Sequence, residues 1–235
     1  FVSECCYTMN LIAVPAIEER FVLYGYQREF IALLNDMLKT PFDVHDDKTR
    51  QMGDSWTVMA FFLWGLIFDT NFSAFCLARK ARDVDDGGEN STIDSLMGRV
   101  RFMHERLPEW VRQRARLRFA NMRITNEDNP AAYITGEGAS PDAARHGSYK
   151  IGLWDECAYT PFGRTIYAGW VNSVRAGIFL STPNGKNNLF YRLKKTISDS
   201  IRHITHHWKL HPVYGAGQYV GADGHLRSPW YDLRC

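Results

Sequence analysis

Eight residues, Lys48-Thr49-Arg50-Gln51-Met52-Gly53-Asp54-Ser55, have the length and the ending of a loop that cradles phosphate. Gly53 permits close backbone approach, and Ser55 offers a hydroxyl for Mg2+ where an apolar helix begins. The slot before that serine, where such loops usually carry lysine, holds Asp54. Far downstream, the apolar run Ile151-Gly152-Leu153-Trp154 delivers Asp155 and Glu156 at its C-terminal edge, the edge at which open α/β sheets bind ligands. Hydrolysis of a nucleoside triphosphate needs one carboxylate to hold Mg2+ and a second to orient and deprotonate water. Asp155 suits the first role and Glu156 the second. Alone, the pair also describes an acidic turn at a strand end. A third run, Gly177-Ile178-Phe179-Leu180, leads into Ser181-Thr182-Pro183-Asn184-Gly185, whose hydroxyls suit a γ-phosphate sensor but which is also strong turn chemistry. The three segments in this order are far more specific than any one.

The elements that must position these residues follow from periodicity. Ile17 to Met37 reads as an amphipathic helix, with Phe21, Tyr24, Phe30, Leu33 and Leu34 at helical spacing. Thr40 to Asp47 has to supply a strand before the loop and is a poor one, polar and containing Pro41. Gly53 to Phe68 and Ile93 to Glu105 read as helices, the second ended by Pro108, and Phe72 to Ala78 as a short apolar strand. Asp83 to Ser91 and Gly136 to Gly147 read as loops. From Arg114 the pattern has period two, and Ala131 to Ile134 is a further short strand. Lys150 to Trp154 and Ala176 to Leu180 suit buried parallel strands, and Asn187 to Ile197 suits a helix. Strands alternating with helices indicate an α/β domain.

The 235 residues suit one large domain, and 45% hydrophobic with 14% aromatic residues allow a sizeable core. A formal net charge of +2 argues against a strongly basic nucleic-acid arm but not against a local basic face. Five cysteines (Cys5, Cys6, Cys76, Cys157 and Cys235) without Cys-x-x-Cys spacing suit a reduced, intracellular chain. The longest apolar run, Val58 to Phe68, is too short to span a bilayer, and no signal peptide is expected. Neither end reads as a natural boundary.

With these motifs in order, the chain resembles the ATPase domain of the large terminase subunit of tailed bacteriophages and related viruses. The loop from Lys48 to Trp56 resembles that family's variant phosphate loop, Leu153 to Tyr159 its second ATPase motif, and Leu180 to Tyr191 its coupling motif. Tyr26-Gln27-Arg28 resembles the segment that contacts adenine, and the likeness runs from about Tyr24 to Tyr191. The resemblance implies a P-loop, RecA-like ATPase fold: a mainly parallel central sheet flanked by helices. An ATPase domain over residues 1–205 and a small linker or lid over 206–235 are expected. It implies an ATP- and Mg2+-dependent motor in the host cytoplasm that moves double-stranded DNA through a portal protein into a procapsid. A small terminase subunit and a homomeric ring, commonly of five subunits, are the implied partners, with no membrane. Tyr26, Gln27, Lys48, Arg50, Gln51, Met52, Gly53, Asp54 and Ser55 are then nucleotide-binding, Ser55 and Asp155 hold the metal, and Glu156 is catalytic. Ser181, Thr182 and Asn184 couple hydrolysis to movement, and Arg145 matches the position of an arginine finger supplied to a neighbouring subunit. Nothing after Ser228 supplies the acidic cluster of the family's nuclease domain, so nuclease activity is not expected.

Charge at the phosphates is the anomaly. Like unit charges about 4 Å apart at an effective dielectric of about 20 repel by roughly 4 kcal/mol. Lys48 or Arg50 could reach the phosphates; Asp54 is expected to face solvent and Lys48 to take the phosphate role. Arg112, Arg114, Arg116 and Arg118 share a face if their segment is a strand, which suits either phosphate tracking or a solvated edge; Arg79, Lys80 and Arg82 carry the same two readings. His203, His207 and His211 share a face if helical, but Pro212 and the lack of acidic ligands weigh against a metal site. Trp208 and Trp230 read as contacts of the linker. Two other functions compete. One is a superfamily-2-like helicase, for which the chain after Ser181 is short; the other is a catalytically degenerate structural or assembly subunit, which Asp54 would suit.

Overall fold

The computed structural model describes residues 1–10 and 15–234. The N-terminal helix α1 (Val2–Cys5) leads into an antiparallel pair, β1 (Tyr7–Asn10) and β2 (Ile17–Arg20), before helix α2 (Gly25–Lys39). Strand β3 (Asp43–Lys48), helix α3 (Asp54–Phe68), strand β4 (Ser73–Ala78) and the short helix α4 (Ala81–Val84) follow. Helices α5 (Leu96–Glu105) and α6 (Glu109–Arg112) precede β5 (Leu117–Ala120), β6 (Arg123–Asn126) and β7 (Tyr133–Gly138). Then come β8 (Ile151–Trp154), α7 (Gly163–Ser173), β9 (Gly177–Ser181), α8 (Leu189–Lys195) and β10 (Ile201–His206). A small hairpin, β11 (Tyr219–Val220) with β12 (Leu226–Arg227), and helix α9 (Pro229–Arg234) complete the described residues.

Eight strands form one sheet in the order β10-β3-β9-β8-β4-β7-β6-β5. Pairing is parallel from β10 across to β7, and β6 and β5 add an antiparallel edge. The carboxyl ends of β3, β8 and β9 therefore meet at one edge, with Asp47 beside Ser181 and Trp154 beside Phe179. Strands β4, β8 and β9 are buried throughout, which is why they read as unbroken apolar runs. Their side chains alternate between two cores. Cys76, Leu153 and Ile178 join residues of α2, α3 and α5, whereas Phe75, Leu77, Trp154 and Phe179 join residues of α7 and α8. Helix α3 is apolar nearly all round because it lies between α2, α5 and the sheet; each large side chain it buries contributes about 1.5–3 kcal/mol. Among the described residues no helix is long and apolar enough to cross a membrane. Cys5, Cys6, Cys76 and Cys157 are buried and unpaired; Cys235 lies outside the described residues.

Several sequence expectations are corrected. The helix expected from Ile17 begins only at Gly25: Ile17–Arg20 pairs with β1, and Phe21 and Leu23 enter the core from extended chain. The poor strand before the loop is an inner strand of the sheet. Its polar side chains have distant partners: Asp43 accepts the Gly177 N–H at 2.7 Å, His45 Nε2 contacts the Phe190 carbonyl at 3.0 Å, and Asp47 pairs with Lys194. The expected loop from Gly136 starts as strand, since β7 runs to Gly138. The arginine row is not a strand face. Arg112 ends α6, Arg116 binds Asp128 before the strand begins, and Arg118 alone of the four lies in β5. The three histidines share no helix. His203 lies in β10, His207 caps a 3-10 turn, and His211 stacks on Tyr214 at 4.0 Å between centroids. Strand β10 runs from Ile201 through His206.

Candidate nucleotide site

The loop between β3 and α3 is fixed from beneath. Met52 is buried, and its carbonyl accepts two hydrogen bonds from α2: one from the Tyr26 hydroxyl at 2.6 Å and one from Gln27 Nε2 at 3.0 Å. Gln27 Oε1 in turn accepts the Tyr24 N–H at 3.0 Å, closing the start of α2. Gly53 caps α3 in the left-handed region, at φ 78°, where a side chain is strained. The loop thus ends on the N-terminus of a 15-residue helix, a natural site for anions.

Four groups converge above it. Ser55 Oγ donates to Asp155 Oδ2 at 2.8 Å. Asp155 follows β8, and Glu156 is held in the left-handed region at φ 50° with its N–H donating to Asp155 Oδ1 at 3.1 Å. Lys48 Nζ, at the end of β3, lies 3.5 Å from Glu156 Oε1. Burial pushes Lys48 towards its neutral form, but Asp155, Glu156, Asp54 and Asp46 outweigh burial and raise its pKa, so it stays charged. From β9, Ser181 Oγ lies 3.5 Å from Glu156 Oε2 and accepts the Ala158 N–H at 3.1 Å. Asn184 donates to the Ala158 carbonyl at 3.3 Å, and the Thr182 hydroxyl lies 3.3 Å from that of Tyr159. The third segment therefore grips the turn that carries Glu156.

Two cavities share the loop. One, of about 310 Å³, is lined by Lys48, Ser55, Asp155, Glu156 and Arg99 among others. The other, of about 400 Å³, is lined by Phe21, Tyr24, Gln27, Trp56 and His211. Gln51, Met52, Gly53 and Trp56 border both. Ser55 and Asp155 supply hard oxygen donors side by side, which fits Mg2+ completed by phosphate and water oxygens rather than caged by protein.

Asp54 corrects the expectation most sharply. It does not face solvent: the residue borders the smaller cavity but is 2% exposed, and its carboxylate is turned to His206. His206 Nδ1, from β10, lies 3.0 Å from Asp54 Oδ1 and 2.9 Å from Asp46 Oδ2. Burial alone would lower the His206 pKa, but the two carboxylates reverse this and raise it to about 10. Burial and the neighbouring Asp54 push Asp46 up to about 6 against the pull of His206.

The remaining predicted residues are dispersed. Tyr26 lies under the loop and does not line the larger cavity; Gln27 does. Arg50 is exposed and borders a third cavity with Lys48, Arg79 and Glu156. Arg145 is exposed, paired with Asp142 at 3.5 Å, and lines none of these three cavities. Sequence reasoning missed His206 and Arg99. The Arg99 side chain, in α5, donates through Nε to the Ile93 carbonyl at 3.1 Å; its guanidinium carbon is 5.7 Å from the centre of the Trp56 ring. Nothing in its local sequence marks it, because only the packing of α5 on α3 brings it to the cavity.

Solved structures share this arrangement of elements. The Thermus phage P74-26 large terminase ATPase domain is similar with a TM-score of 0.50 and 18% identity, over 74% of this chain and 79% of that one. The large terminase of a second, thermophilic bacteriophage is similar with a TM-score of 0.58 and 12% identity, over 78% of this chain and 45% of that one. The complex of that second terminase with ADP is similar with a TM-score of 0.55 and 12% identity, over 79% of this chain. The chain has the fold of a large terminase ATPase domain. It spans less than half the length of the second phage's large terminase. No family model and no curated protein matches the chain. Within the large terminase fold, the loop between β3 and α3 and both carboxylates of this chain sit at the C-terminal edge of the parallel strands, where α/β folds bind ligands.

Proposed function

We propose that this chain is the ATP-hydrolysing motor domain of a large terminase, which drives double-stranded viral DNA through a portal protein into a procapsid. The observation that carries the reading is the convergence of Lys48, Ser55, Asp155 and Glu156 on one cavity, with Ser55 and Asp155 bonded at 2.8 Å. The larger cavity takes the nucleoside, with Tyr24 and Gln27 on the base side, and the loop between the cavities takes the phosphates. Lys48 and Arg50 supply positive charge to the phosphates. Bound Mg2+ would neutralise phosphate oxygens and be held by Ser55 and Asp155. Glu156 orients the attacking water and accepts its proton. Ser181, Thr182 and Asn184, which grip the Glu156 turn, pass its state into the chain leading to α8. Arg145, exposed and remote from its own chain's cavities, reaches the phosphates of a neighbouring subunit in a homomeric ring of five. The ring docks on the portal with a small terminase subunit in the host cytoplasm.

The discriminating experiment is phosphate release from Mg·ATP, with and without double-stranded DNA, by the wild type and Arg145→Ala. DNA-stimulated release that Arg145→Ala abolishes, with ATP binding kept, supports the motor. ATP binding without turnover at any protein concentration supports instead the degenerate subunit that Asp54 first suggested.

A further inference from the structure

The nucleotide reading leaves three buried polar residues without a task. Asp46 lies in β3, Asp54 opens α3 and His206 ends β10. Each carries an unusual burden, for the side chains of Asp46 and Asp54 are 0% exposed and that of His206 is 7% exposed. His206 Nδ1 stands between the two carboxylates, 2.9 Å from Asp46 and 3.0 Å from Asp54. A single N–H cannot align with both, and neither contact has good hydrogen-bond geometry, so charge rather than direction holds the group together. The His206 ring is wedged against Tyr26 and Phe30, with centroids 5.0 and 5.3 Å away. Its backbone is tied to the loop as well: the His206 carbonyl accepts the Thr49 N–H at 2.9 Å, and the Trp208 N–H donates to Thr49 Oγ1 at 3.0 Å.

Charge limits what this cluster can be. Lys48 follows Asp46 by two residues in β3 and feels both Asp46 and Asp54. With His206 protonated, its one charge stands between two carboxylates, while Lys48 is drawn more strongly by Asp155 and Glu156. The same three side chains also present ligand atoms within 4.8 Å of one another, a spacing that admits a metal ion. A divalent ion on a neutral imidazole would also balance both carboxylates, so metal content is what separates an ion from a protonated His206.

We infer that His206 is a positioning residue of the nucleotide site. It draws the Asp54 carboxylate down against Asp46 and away from the phosphate face of the loop, which lets an aspartate occupy the slot where phosphate loops carry lysine and keeps that carboxylate from pairing with Lys48. The inference rests on the nucleotide reading and adds to it a residue from β10, outside all three site-forming motifs. Without the imidazole, Asp54 loses the cation that holds it beneath the loop. It then either captures Lys48 or swings towards the phosphates, and both outcomes weaken the binding of highly charged nucleotides.

The test is a cycle of Asp54→Asn, His206→Gln and the double variant, read by ATP and ADP affinity, thermal unfolding and metal content. His206→Gln should weaken ATP binding about tenfold or more, and ATP more than ADP. Adding Asp54→Asn should return ATP affinity to within about twofold of the Asp54→Asn single variant. A merely structural histidine would show no such rescue and no dependence on phosphate number. Wild-type affinity in folded His206→Gln overturns the inference, as does failure of rescue in the double variant. Should His206→Gln not fold, Asp54→Asn still decides, because loss of ATP affinity there would mean that Asp54 itself serves the nucleotide. Stoichiometric Zn2+ or Mn2+ in the purified protein, lost in His206→Gln, overturns the inference in favour of a structural metal. Wild-type protein that binds no ATP overturns the nucleotide reading itself, and the inference with it.

Discussion

Ser55 Oγ donates to Asp155 Oδ2 across 2.8 Å, joining the first turn of α3 to the end of β8. The bond brings together two hard oxygen donors that could hold one divalent cation. Ser55→Ala should therefore behave as wild type does after chelation. In isothermal titration, the gain in ATP affinity on adding Mg2+ should fall about tenfold, while affinity without Mg2+ stays unchanged.

Glu156 is only lightly engaged in the protein itself, 3.5 Å from Lys48 and 3.5 Å from Ser181. A carboxylate so placed is available to water. Glu156→Gln keeps the shape and removes the base, so ATP should bind with unchanged affinity while phosphate release falls by about 10²- to 10⁴-fold. Equal turnover in a phosphate-release assay would remove Glu156 from the chemistry.

Gly53 is a loop position that resists any side chain. At φ 78° an alanine is strained, by about 1–2 kcal/mol, and its Cβ would meet Gln27 Nε2 at 2.7 Å. Gln27 would have to release the Met52 carbonyl. Gly53→Ala should lower stability in urea titration by about that amount and weaken ATP binding in parallel.

His206 makes stability depend on pH in a defined direction. Burial lowers its pKa, but the contacts to Asp46 and Asp54 outweigh burial and lift it to about 10 from an ordinary 6.5. A group held above its unfolded value stabilises fully below about pH 6.5, and that contribution is lost as pH rises through about 10. Asp46, pushed up to about 6, acts in the same sense at lower pH. The stability difference between wild type and His206→Gln should accordingly shrink between pH 6.5 and 10, measured by urea unfolding at each pH.

Legibility in the sequence follows locality. Strands β8 and β9 are visible because burial on both faces leaves an apolar run, and Asp155, Glu156 and Ser181 stand where those runs stop. The candidate loop is visible because Gly53 and Ser55 stand at the start of an apolar helix. Strand β3 is hidden because its charges are answered by Gly177, Lys194, His206 and Glu156, all far along the chain. Strand β10 is hidden for a related reason: only pairing with β3 makes it a strand, while its histidines mimic helical spacing. Residue type reveals the charge of Asp54, but its direction depends on a partner from another strand.

The central claim is that Lys48 supplies the charge that the loop lacks at Asp54. Titration of wild type and Lys48→Ala with Mg·ATP tests it most directly, since binding needs neither DNA nor a ring. Wild type should bind one Mg·ATP per chain, and Lys48→Ala should bind it about a hundredfold more weakly with circular dichroism unchanged. Equal affinity in the two proteins would contradict it.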